Sequence, residues 1–313
     1  MISIIIPVYN RQQYIEECLQ SVFRSTYANL EVVLVDDGST DQTLQICQNF
    51  ALTEPRIKVL TSEHVGVSAA RNIALDAARG DYVFFLDSDD VIHPLLLEVL
   101  VTGLKDTDAG IAGTCCRNVR EEYWNKVNEQ MEKDFGPAQT LYKTHEETLH
   151  ITFHIQSPLG MIGGVMFRRD LIGDTRFRTD LFIGEDFYFI YENLIKGAAS
   201  VLLRQKWYYG RLHANNSSWD FDFSGYMNRF YRRELVWKSE EAFGRIDNAN
   251  CQKKQAFGNC RACLKGHKPY SEDSKKMRQV LRRYKKELFP ALSWKQKVGY
   301  YLYVYIPFSS LFI

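Results

Sequence analysis

The sequence has no long apolar run and no segment typical of a secretion signal. No stretch approaches the ~18 consecutive apolar residues that a membrane-spanning helix needs. Residues 1–7 lack a basic region followed by an apolar segment and a cleavage site, and they are typical of a first strand instead. We therefore expect a cytoplasmic protein whose chain does not cross a membrane.

The sequence also lacks a large excess of charge of one sign and a regular, even-numbered set of cysteines. The chain has 39 Lys and Arg against 38 Asp and Glu, a formal net charge of +1, so its overall charge indicates no nucleic-acid partner. Its seven cysteines are odd in number and irregularly spaced, which favours reduced thiols over a disulfide framework. With 313 residues the chain is long enough for one large domain, or for one domain and an appendage.

The most informative stretch is an apolar run, residues 82–86, that ends in a cluster of carboxylates. A run without polar alternation predicts a strand buried on both faces. The acids Asp87, Asp89 and Asp90 then lie at its carboxyl end, where open parallel sheets bind ligands. Side-chain alternation points Asp87 and Asp89 the same way, and paired carboxylates suit a hard divalent ion. The alternative is an acidic turn in which Asp89 or Asp90 caps the next helix.

The first third of the chain alternates strand and helix patterns. Apolar strands are predicted over 3–8, 30–35, 56–60 and 82–86, each followed by a segment with helical spacing. Successive strand–helix units predict a doubly wound, three-layer α/β domain. Polar residues follow three of these strands, so we expect their side chains at one edge of the sheet. Each of these signals alone is equally typical of a turn or a helix cap.

Four short segments follow one another in a specific order. Residues 4–10, 35–41, 66–72 and 85–90 read IIIPVYN, VDDGSTD, GVSAARN and FLDSDD. They resemble the N-terminal motifs of the family 2 inverting glycosyltransferases. The resemblance implies the GT-A fold, a three-layer α/β/α domain with a mostly parallel sheet that binds a nucleotide-sugar. We expect this domain over 1–218, with a nucleotide-binding half, 1–102, and an acceptor-binding half, 103–218.

The positions that match the family imply a nucleotide-sugar site and a metal site. The nucleotide-sugar site is expected to comprise Pro7, Tyr9, Asp36, Asp37, Arg71, Asp87 and Ser88. Within it, Asp37 is expected to accept from the uracil ring, and Arg71 to lie near the diphosphate. Asp89 matches the residue that holds the divalent ion, Mn²⁺ or Mg²⁺, with Asp87 facing the ribose or the metal. Such a cation stabilises the charge of a departing diphosphate as a Lewis acid.

A second acidic pair, Glu185 and Asp186, follows Gly184 in an aromatic segment. Inverting transfer needs a base that takes the proton of the acceptor hydroxyl. The pair resembles the base motif of the family, which implies Asp186 as the general base and Glu185 as a neighbour that positions the acceptor or the loop. The alternative is a helix N-terminus with acids in its first turn.

His213 lies in a segment that resembles the His-x-x-Ser motif of the same family. The resemblance implies a third metal or diphosphate ligand, and an imidazole suits manganese. The alternative is a histidine with a purely structural hydrogen bond. The chain lacks the Gln-x-x-Arg-Trp motif of processive members, which favours the addition of one sugar per encounter.

The remaining segments carry weaker patterns. Residues 117–134 are polar without a strand period, which predicts a mobile loop near the acceptor. Residues 219–313 are basic and aromatic and predict a helical C-terminal region. Between Tyr270 and Lys297, nine Lys or Arg stand against three acids. Basic residues beside aromatics are typical of contact with an anionic membrane, here through 270–313, and the alternative is a cap that packs its aromatics on the catalytic domain.

Together these expectations describe a metal-dependent inverting glycosyltransferase, peripheral on the inner face of a membrane. It moves one hexose (glucose, galactose or an N-acetyl form) from a UDP-sugar to a saccharide acceptor of a cell-surface glycoconjugate. The basic tail favours a lipid-linked acceptor, and a glycoprotein glycan is the alternative. Two other classes stay open. A nucleotidyltransferase needs a Gly-rich basic loop after the first strand, which is missing, and a non-catalytic partner subunit often loses one of the acids present at 87, 89 and 186.

Overall fold

The computed structural model describes residues 1–154, 159–213, 222–267 and 271–305. Contacts divide the chain into two compact units. The first unit comprises residues 1–179 and 189–216, and the second comprises 180–188 and 217–313.

A mixed β-sheet forms the centre of the first unit. Its strands are β1 (Ile2–Val8), β2 (Leu30–Asp36), β3 (Ile57–Thr61), β4 (Tyr82–Phe85), β5 (Val91–Ile92), β6 (Ile111–Arg120), β7 (Thr140–Lys143), β8 (Val165–Arg168) and β9 (Ser200–Leu212). In the described residues the strand order is β3-β2-β1-β4-β8-β6-β9-β5, with β7 paired to β9. The first four strands are parallel to one another, whereas β8 runs antiparallel to both β4 and β6.

The largely apolar runs explain why β1 and β2 are interior strands of this sheet. Both strands are buried along their whole length, as expected for strands covered on two faces. The helices that the structure describes up to residue 194 are α1 (Ile15–Phe23), α2 (Thr43–Thr53), α3 (Val67–Ala77), α4 (Leu96–Lys105), α5 (Val127–Lys133), α6 (His145–His154), α7 (Arg169–Ile172) and α8 (Glu185–Leu194). The predicted alternation of strands and helices in the first third of the chain is therefore confirmed.

The polar segment 117–134 differs from the loop that the sequence predicts. Strand β6 continues to Arg120, a 3-10 helix spans Glu121–Lys126, and α5 follows. Its apolar residues Trp124, Val127 and Met131 are buried in a small cluster with Val91 and Tyr209. Burial of these side chains orders a segment whose other residues are polar.

The second unit is helical where it is described. Its helices beyond residue 222 are α9 (Phe223–Ala242), α10 (Ile246–Gly266), α11 (Glu272–Arg283), α12 (Lys285–Leu288) and α13 (Trp294–Tyr305). Their apolar faces meet in a core that includes Phe230, Trp237, Phe257 and Tyr300, each nearly inaccessible to solvent. The predicted helical C-terminal region is confirmed. Within the described residues no helix is both long and apolar enough to cross a bilayer.

Candidate active site

The carboxyl ends of β1, β2 and β4 lie at one edge of the sheet, because these strands are parallel neighbours. The residues that follow them include Tyr9, Asp37 and Asp87. Pro7 is still inside β1, where it is buried and lies opposite Val35 of β2. The structure thus brings the ends of three predicted strands to a single edge, and the candidate site is built there.

Asp37, at the end of β2, accepts hydrogen bonds from the loop before α3. Its Oδ1 accepts hydrogen bonds from the Val65 amide at 2.7 Å and the Ser62 hydroxyl at 2.8 Å, and its Oδ2 accepts from the Gly66 amide at 2.8 Å. His64 Nδ1 lies 3.5 Å from Oδ2, and the Asp37 side chain is 5% exposed, so groups of the protein surround this carboxylate. The neighbouring Asp36 uses Oδ2 to accept from the Ser39 amide at 3.0 Å. Its buried Oδ1 has no hydrogen-bond partner in the described part of the chain.

Tyr9 is partly exposed and its ring contacts His64. The two ring centroids are 4.0 Å apart, and the planes are tilted by 30°. His64 has a φ of +46°, an uncommon conformation for a residue other than glycine, and its Nδ1 lies 3.2 Å from the backbone oxygen of Asp37. An aromatic ring and a histidine therefore stand next to the carboxylate at this strand end.

Arg71 and Asp87 form an ion pair beside this edge. The guanidinium donates to Asp87 Oδ1 at 3.0 Å and lies over the Phe177 ring, 5.3 Å from its centroid. The Arg71 side chain is 6% exposed, whereas that of Asp87 is 34% exposed. The Asp87 amide lies 3.2 Å from the Tyr208 hydroxyl, to which it donates a hydrogen bond. A largely buried cation therefore holds a carboxylate that remains open to solvent.

Asp89 is in contact with two basic side chains. Its Oδ2 lies 2.9 Å from Nε2 of His213 and 3.3 Å from Nε of Arg11. The His213 side chain is 5% exposed and that of Asp89 is 12% exposed. These two residues are 124 positions apart in the sequence, and the structure brings them together as a carboxylate–imidazole pair.

A cluster of aromatic and charged side chains supports His213. The His213 ring stacks on Tyr14, with centroids 4.8 Å apart and planes 22° from parallel. The guanidinium of Arg211 also lies over Tyr14, 4.7 Å from the ring centroid. The same guanidinium is 3.8 Å from the Trp124 ring centroid. Arg211 is an ion-pair partner of Glu17, which accepts a hydrogen bond from Trp124 Nε1 at 2.8 Å. The imidazole is thus held by packing on its face and by Asp89 at its edge.

Ser88 and Asp90 are buried on either side of Asp89. The Arg211 amide donates to Asp90 Oδ1 at 2.8 Å. Burial, followed by the negative charges of Asp87 and Asp89, raises the pKa of Asp90 well above its ordinary value. Asp89 and Asp90 are therefore both buried, whereas Asp87 remains partly exposed.

The donor atoms at this edge fit a divalent cation in part. Asp89 and His213 offer one oxygen and one nitrogen donor in contact with each other, which suits Mn²⁺ better than Mg²⁺. Asp87 is directed to Arg71 instead. Across the described residues no group of three or more His, Cys, Asp or Glu side chains could hold a metal ion. The pair fits a cation that completes its coordination with ligand oxygens.

The acidic pair Glu185 and Asp186 lies in the first turn of α8, within the second unit. Gly184 precedes it with a φ of +86°, and the Tyr188 amide donates to the Gly184 carbonyl at 3.1 Å, which begins the helix. Glu185 is buried and Asp186 is half-buried. The helix start, which is the structural alternative, is therefore present, and Asp186 Oδ1 accepts a hydrogen bond from the Phe187 amide at 2.6 Å.

Sequence reasoning missed several residues of the site. Arg11, Tyr14 and His64 contact the predicted residues, and Arg211 contacts Tyr14, yet none of the four was predicted. Arg11 directly follows the first motif, a position that could have identified it. Tyr14 fits the apolar face of α1, so its pattern gives no indication of a contact with His213.

The chain is similar in sequence to known glycosyltransferases. A family model described as "Glycosyl transferase family 2" matches residues 3–175, more than half of the chain. Glycosyltransferase GlyG of Streptococcus pneumoniae is 38% identical over 112 residues, 36% of this chain and 37% of that protein. Chondroitin synthase of Escherichia coli is 37% identical over 123 residues, 39% of this chain and 18% of that protein. The chain therefore spans well under half the length of these relatives.

Solved structures resemble nearly the whole chain. TarS 1-349 of S. aureus, in complex with UDP-GlcNAc, has a TM-score of 0.61 and 23% identity, covering 97% of this chain and 81% of that one. The mannosyltransferase PcManGT from Pyrobaculum calidifontis, in complex with GDP-Man and Mn²⁺, has a TM-score of 0.57 and 18% identity, covering 97% and 85%. At such identities the likeness concerns the fold, and the predicted GT-A fold is confirmed.

Proposed function

Since this chain belongs to glycosyl transferase family 2, we propose that it transfers one hexose from a UDP-sugar to a saccharide acceptor, with inversion at the anomeric carbon. The observation that carries the proposal is the contact between Asp89 and His213. Asp87, in the same loop as Asp89, forms an ion pair with Arg71. Carboxylates and an imidazole at a strand edge suit the binding of a cation and a diphosphate.

The donor is proposed to be a UDP-sugar. Tyr9 offers a partly exposed ring for a base to stack on, and Asp37 is the carboxylate beside it at the end of β2. The fold neighbour TarS 1-349 binds UDP-GlcNAc, which supports the same nucleotide here. Glucose, galactose and their N-acetyl forms are the candidate sugars.

Asp89 and His213 are proposed to hold Mn²⁺ or Mg²⁺, with Asp87 beside them. When bound, such a cation stabilises negative charge on the departing diphosphate. The fold neighbour PcManGT was solved with Mn²⁺, which supports a divalent ion in this fold. Arg71 supplies a second, permanent positive charge near the same group, because its guanidinium stays ionised at any physiological pH.

Asp186 is proposed as the general base and Glu185 as its neighbour. The acceptor oxygen forms a bond to the anomeric carbon, while the bond from that carbon to the diphosphate oxygen breaks. The proton of the acceptor hydroxyl passes to the Asp186 carboxylate, and UDP leaves with the bonding electron pair. A single displacement of this kind converts an α-linked donor into a β-linked product.

The decisive experiment incubates the protein with a panel of nucleotide-sugars, with Mn²⁺, with Mg²⁺ or with chelator, and measures the release of free sugar and nucleotide. The panel includes GDP-mannose, because a fold neighbour binds it. Slow hydrolysis of one UDP-sugar that stops with chelator is expected and identifies the sugar. Release of pyrophosphate from UTP and a sugar phosphate identifies a nucleotidyltransferase instead. If no donor is hydrolysed and UDP does not bind with or without metal, the proposal is wrong.

The acceptor is proposed to be lipid-linked, because one face of α13 combines exposed aromatics with positive charge. Trp294 is 76% exposed, and Val298, Tyr301 and Tyr305 are also exposed. These positions follow at intervals of four, three and four residues and so share one helix face. A buried position of the same helix, Tyr300, packs into the core.

Basic side chains surround this face. The Lys285 ammonium lies 5.0 Å from the Tyr301 ring centroid, Lys297 lies 5.3 Å from that of Phe289, and Arg282 lies 5.5 Å from that of Tyr305. In the described residues none of these three cations forms an ion pair with a carboxylate. Aromatics at headgroup depth with cations beside them suit an anionic bilayer. We infer a peripheral association with the cytoplasmic face of the membrane, and a glycoprotein glycan as acceptor is the alternative.

A further inference from the structure

The backbone of Arg11 is fixed by hydrogen bonds between the loops that follow β1 and β2. Its amide donates to the Thr43 hydroxyl at 2.8 Å. The preceding Asn10 amide donates to the Ser39 hydroxyl at 2.9 Å, and Asn10 Oδ1 accepts from the Thr40 amide at 2.8 Å. Asn10 has a φ of +50°, an uncommon conformation that these bonds help to hold. The Arg11 side chain therefore starts from a set position at the sheet edge.

The guanidinium of Arg11 is held more loosely than its backbone. Its Nε donates to Asp89 Oδ2 at 3.3 Å, and its Nη1 donates to the carbonyls of Tyr9 and Asn10 at 3.3 and 3.2 Å. A hydrogen bond from a guanidinium to a carboxylate is usually about 2.7–2.9 Å long. The Arg11 side chain is also 23% exposed. It is therefore able to change its partner at small cost.

Arg11 shares one oxygen of Asp89 with His213. Oδ2 of Asp89 lies 3.3 Å from Nε of Arg11 and 2.9 Å from Nε2 of His213. A carboxylate oxygen has about two acceptor positions, so these two contacts occupy both. A divalent cation that binds this oxygen must displace one of them, and the longer contact, that of Arg11, is the easier one to break. The cation and the guanidinium also repel each other at short range. Cation binding and the ion pair with Arg11 are therefore in competition.

We propose that Arg11 is a diphosphate-binding residue, which exchanges Asp89 for a phosphate oxygen of the nucleotide when a divalent cation binds. The inference rests on the proposed function, in which Asp89 and His213 hold the cation beside the diphosphate. A planar guanidinium offers parallel donors that match phosphate as well as carboxylate. The exchange keeps a permanent positive charge at the diphosphate after the cation has taken the carboxylate.

The first test measures the binding of Mn²⁺ alone, without nucleotide, from the electron paramagnetic resonance signal of free Mn²⁺. Arg11→Met removes the charge and keeps the unbranched stem, and it binds Mn²⁺ about 2- to 5-fold more tightly than the wild type, as expected for the loss of a competing, partly exposed ion pair. Arg11→Lys keeps the charge and binds Mn²⁺ nearly as the wild type does. The matched control is Arg56→Met, which leaves the Mn²⁺ affinity unchanged. Arg56 pairs with Glu54 at 2.6 Å, directly before β3 and so at the opposite edge of the sheet.

The second test titrates UDP and uridine into the same variants at saturating Mn²⁺. Arg11→Met weakens the binding of UDP by about 10-fold, the lower end of the effect of a hydrogen bond to a charged group. Uridine has no phosphate, so its affinity stays the same in every variant. Arg56→Met binds both compounds as the wild type does.

The opposite signs of the two effects make the test decisive. Tighter binding of Mn²⁺ together with weaker binding of UDP in Arg11→Met supports the inference, because a site that is merely disordered would bind both ligands less well. Weaker binding of both ligands, or an unchanged affinity for either, overturns the inference while the wild type still binds Mn²⁺ and UDP. A wild type that binds neither ligand refutes the proposed function, and the inference falls with it.

Discussion

Replacement of Tyr14 by leucine is expected to weaken the binding of Mn²⁺ and UDP while the fold is retained. The Tyr14 ring stacks on His213 at 4.8 Å and also carries the guanidinium of Arg211 at 4.7 Å. Leucine fills similar space on α1 but offers no flat face to orient the imidazole. An aromatic pair contributes about 0.5–1.5 kcal/mol beyond its buried area, which corresponds to about a 2- to 10-fold loss of affinity.

The assay is isothermal titration of UDP into the protein, in Mn²⁺ and in chelator. Tyr14→Phe keeps the ring without the hydroxyl and should bind like the wild type. His213→Ala removes the proposed ligand and should lose more than Tyr14→Leu. The loss in Tyr14→Leu should be confined to the Mn²⁺ condition, because the ring acts through the metal ligand and not through the nucleotide.

One result would refute this reasoning. If Tyr14→Leu binds UDP in Mn²⁺ as the wild type does, while His213→Ala is impaired, the stacking contact does not orient the imidazole. His213 would then be positioned by its contact with Asp89 alone. A loss of equal size in chelator would show that Tyr14 acts on the nucleotide.

Three further outcomes are expected. In Asp89→Ala, UDP affinity in Mn²⁺ falls to the value measured in chelator, and equal affinity to the wild type in Mn²⁺ would contradict the metal assignment. Asp186→Asn binds UDP normally and loses about 10²–10⁴-fold in turnover, the usual contribution of a general base, whereas unchanged turnover would disprove that role. Replacement of both Trp294 and Tyr301 by alanine lowers co-sedimentation with vesicles that contain phosphatidylglycerol. Unchanged co-sedimentation would leave α13 as a packing element.

The first third of the fold could be predicted from the sequence because its signals are local. The buried run at 82–86 has no polar alternation, and the structure forms β4 there. The prediction of a loop after β6 was wrong because the local signal there is weak. Its apolar residues Trp124, Val127 and Met131 recur at helical intervals, but the polar residues between them hide the period.

The residues of the candidate site could likewise be predicted only where the signal is local. Asp87 and Asp89 were identified because a strand end and a motif coincide there, both of which are visible in one short stretch. The contacts of Arg11 and Tyr14 join segments that are far apart in the chain, and no local pattern specifies such pairs. The three donors to Asp37 were equally invisible, since they come from a loop that begins 25 residues later.

The contact between Tyr9 and His64 has a consequence for how a base can bind. With ring centroids 4.0 Å apart, the space between them cannot admit a third ring, which needs about 7 Å, twice the optimal carbon–carbon separation. A base that uses this face of Tyr9 competes with the imidazole. Its apparent affinity equals the intrinsic affinity multiplied by the fraction of molecules in which His64 has swung away. If the proposed nucleotide stacks on this face of Tyr9, its affinity therefore depends on how readily His64 moves away from the ring.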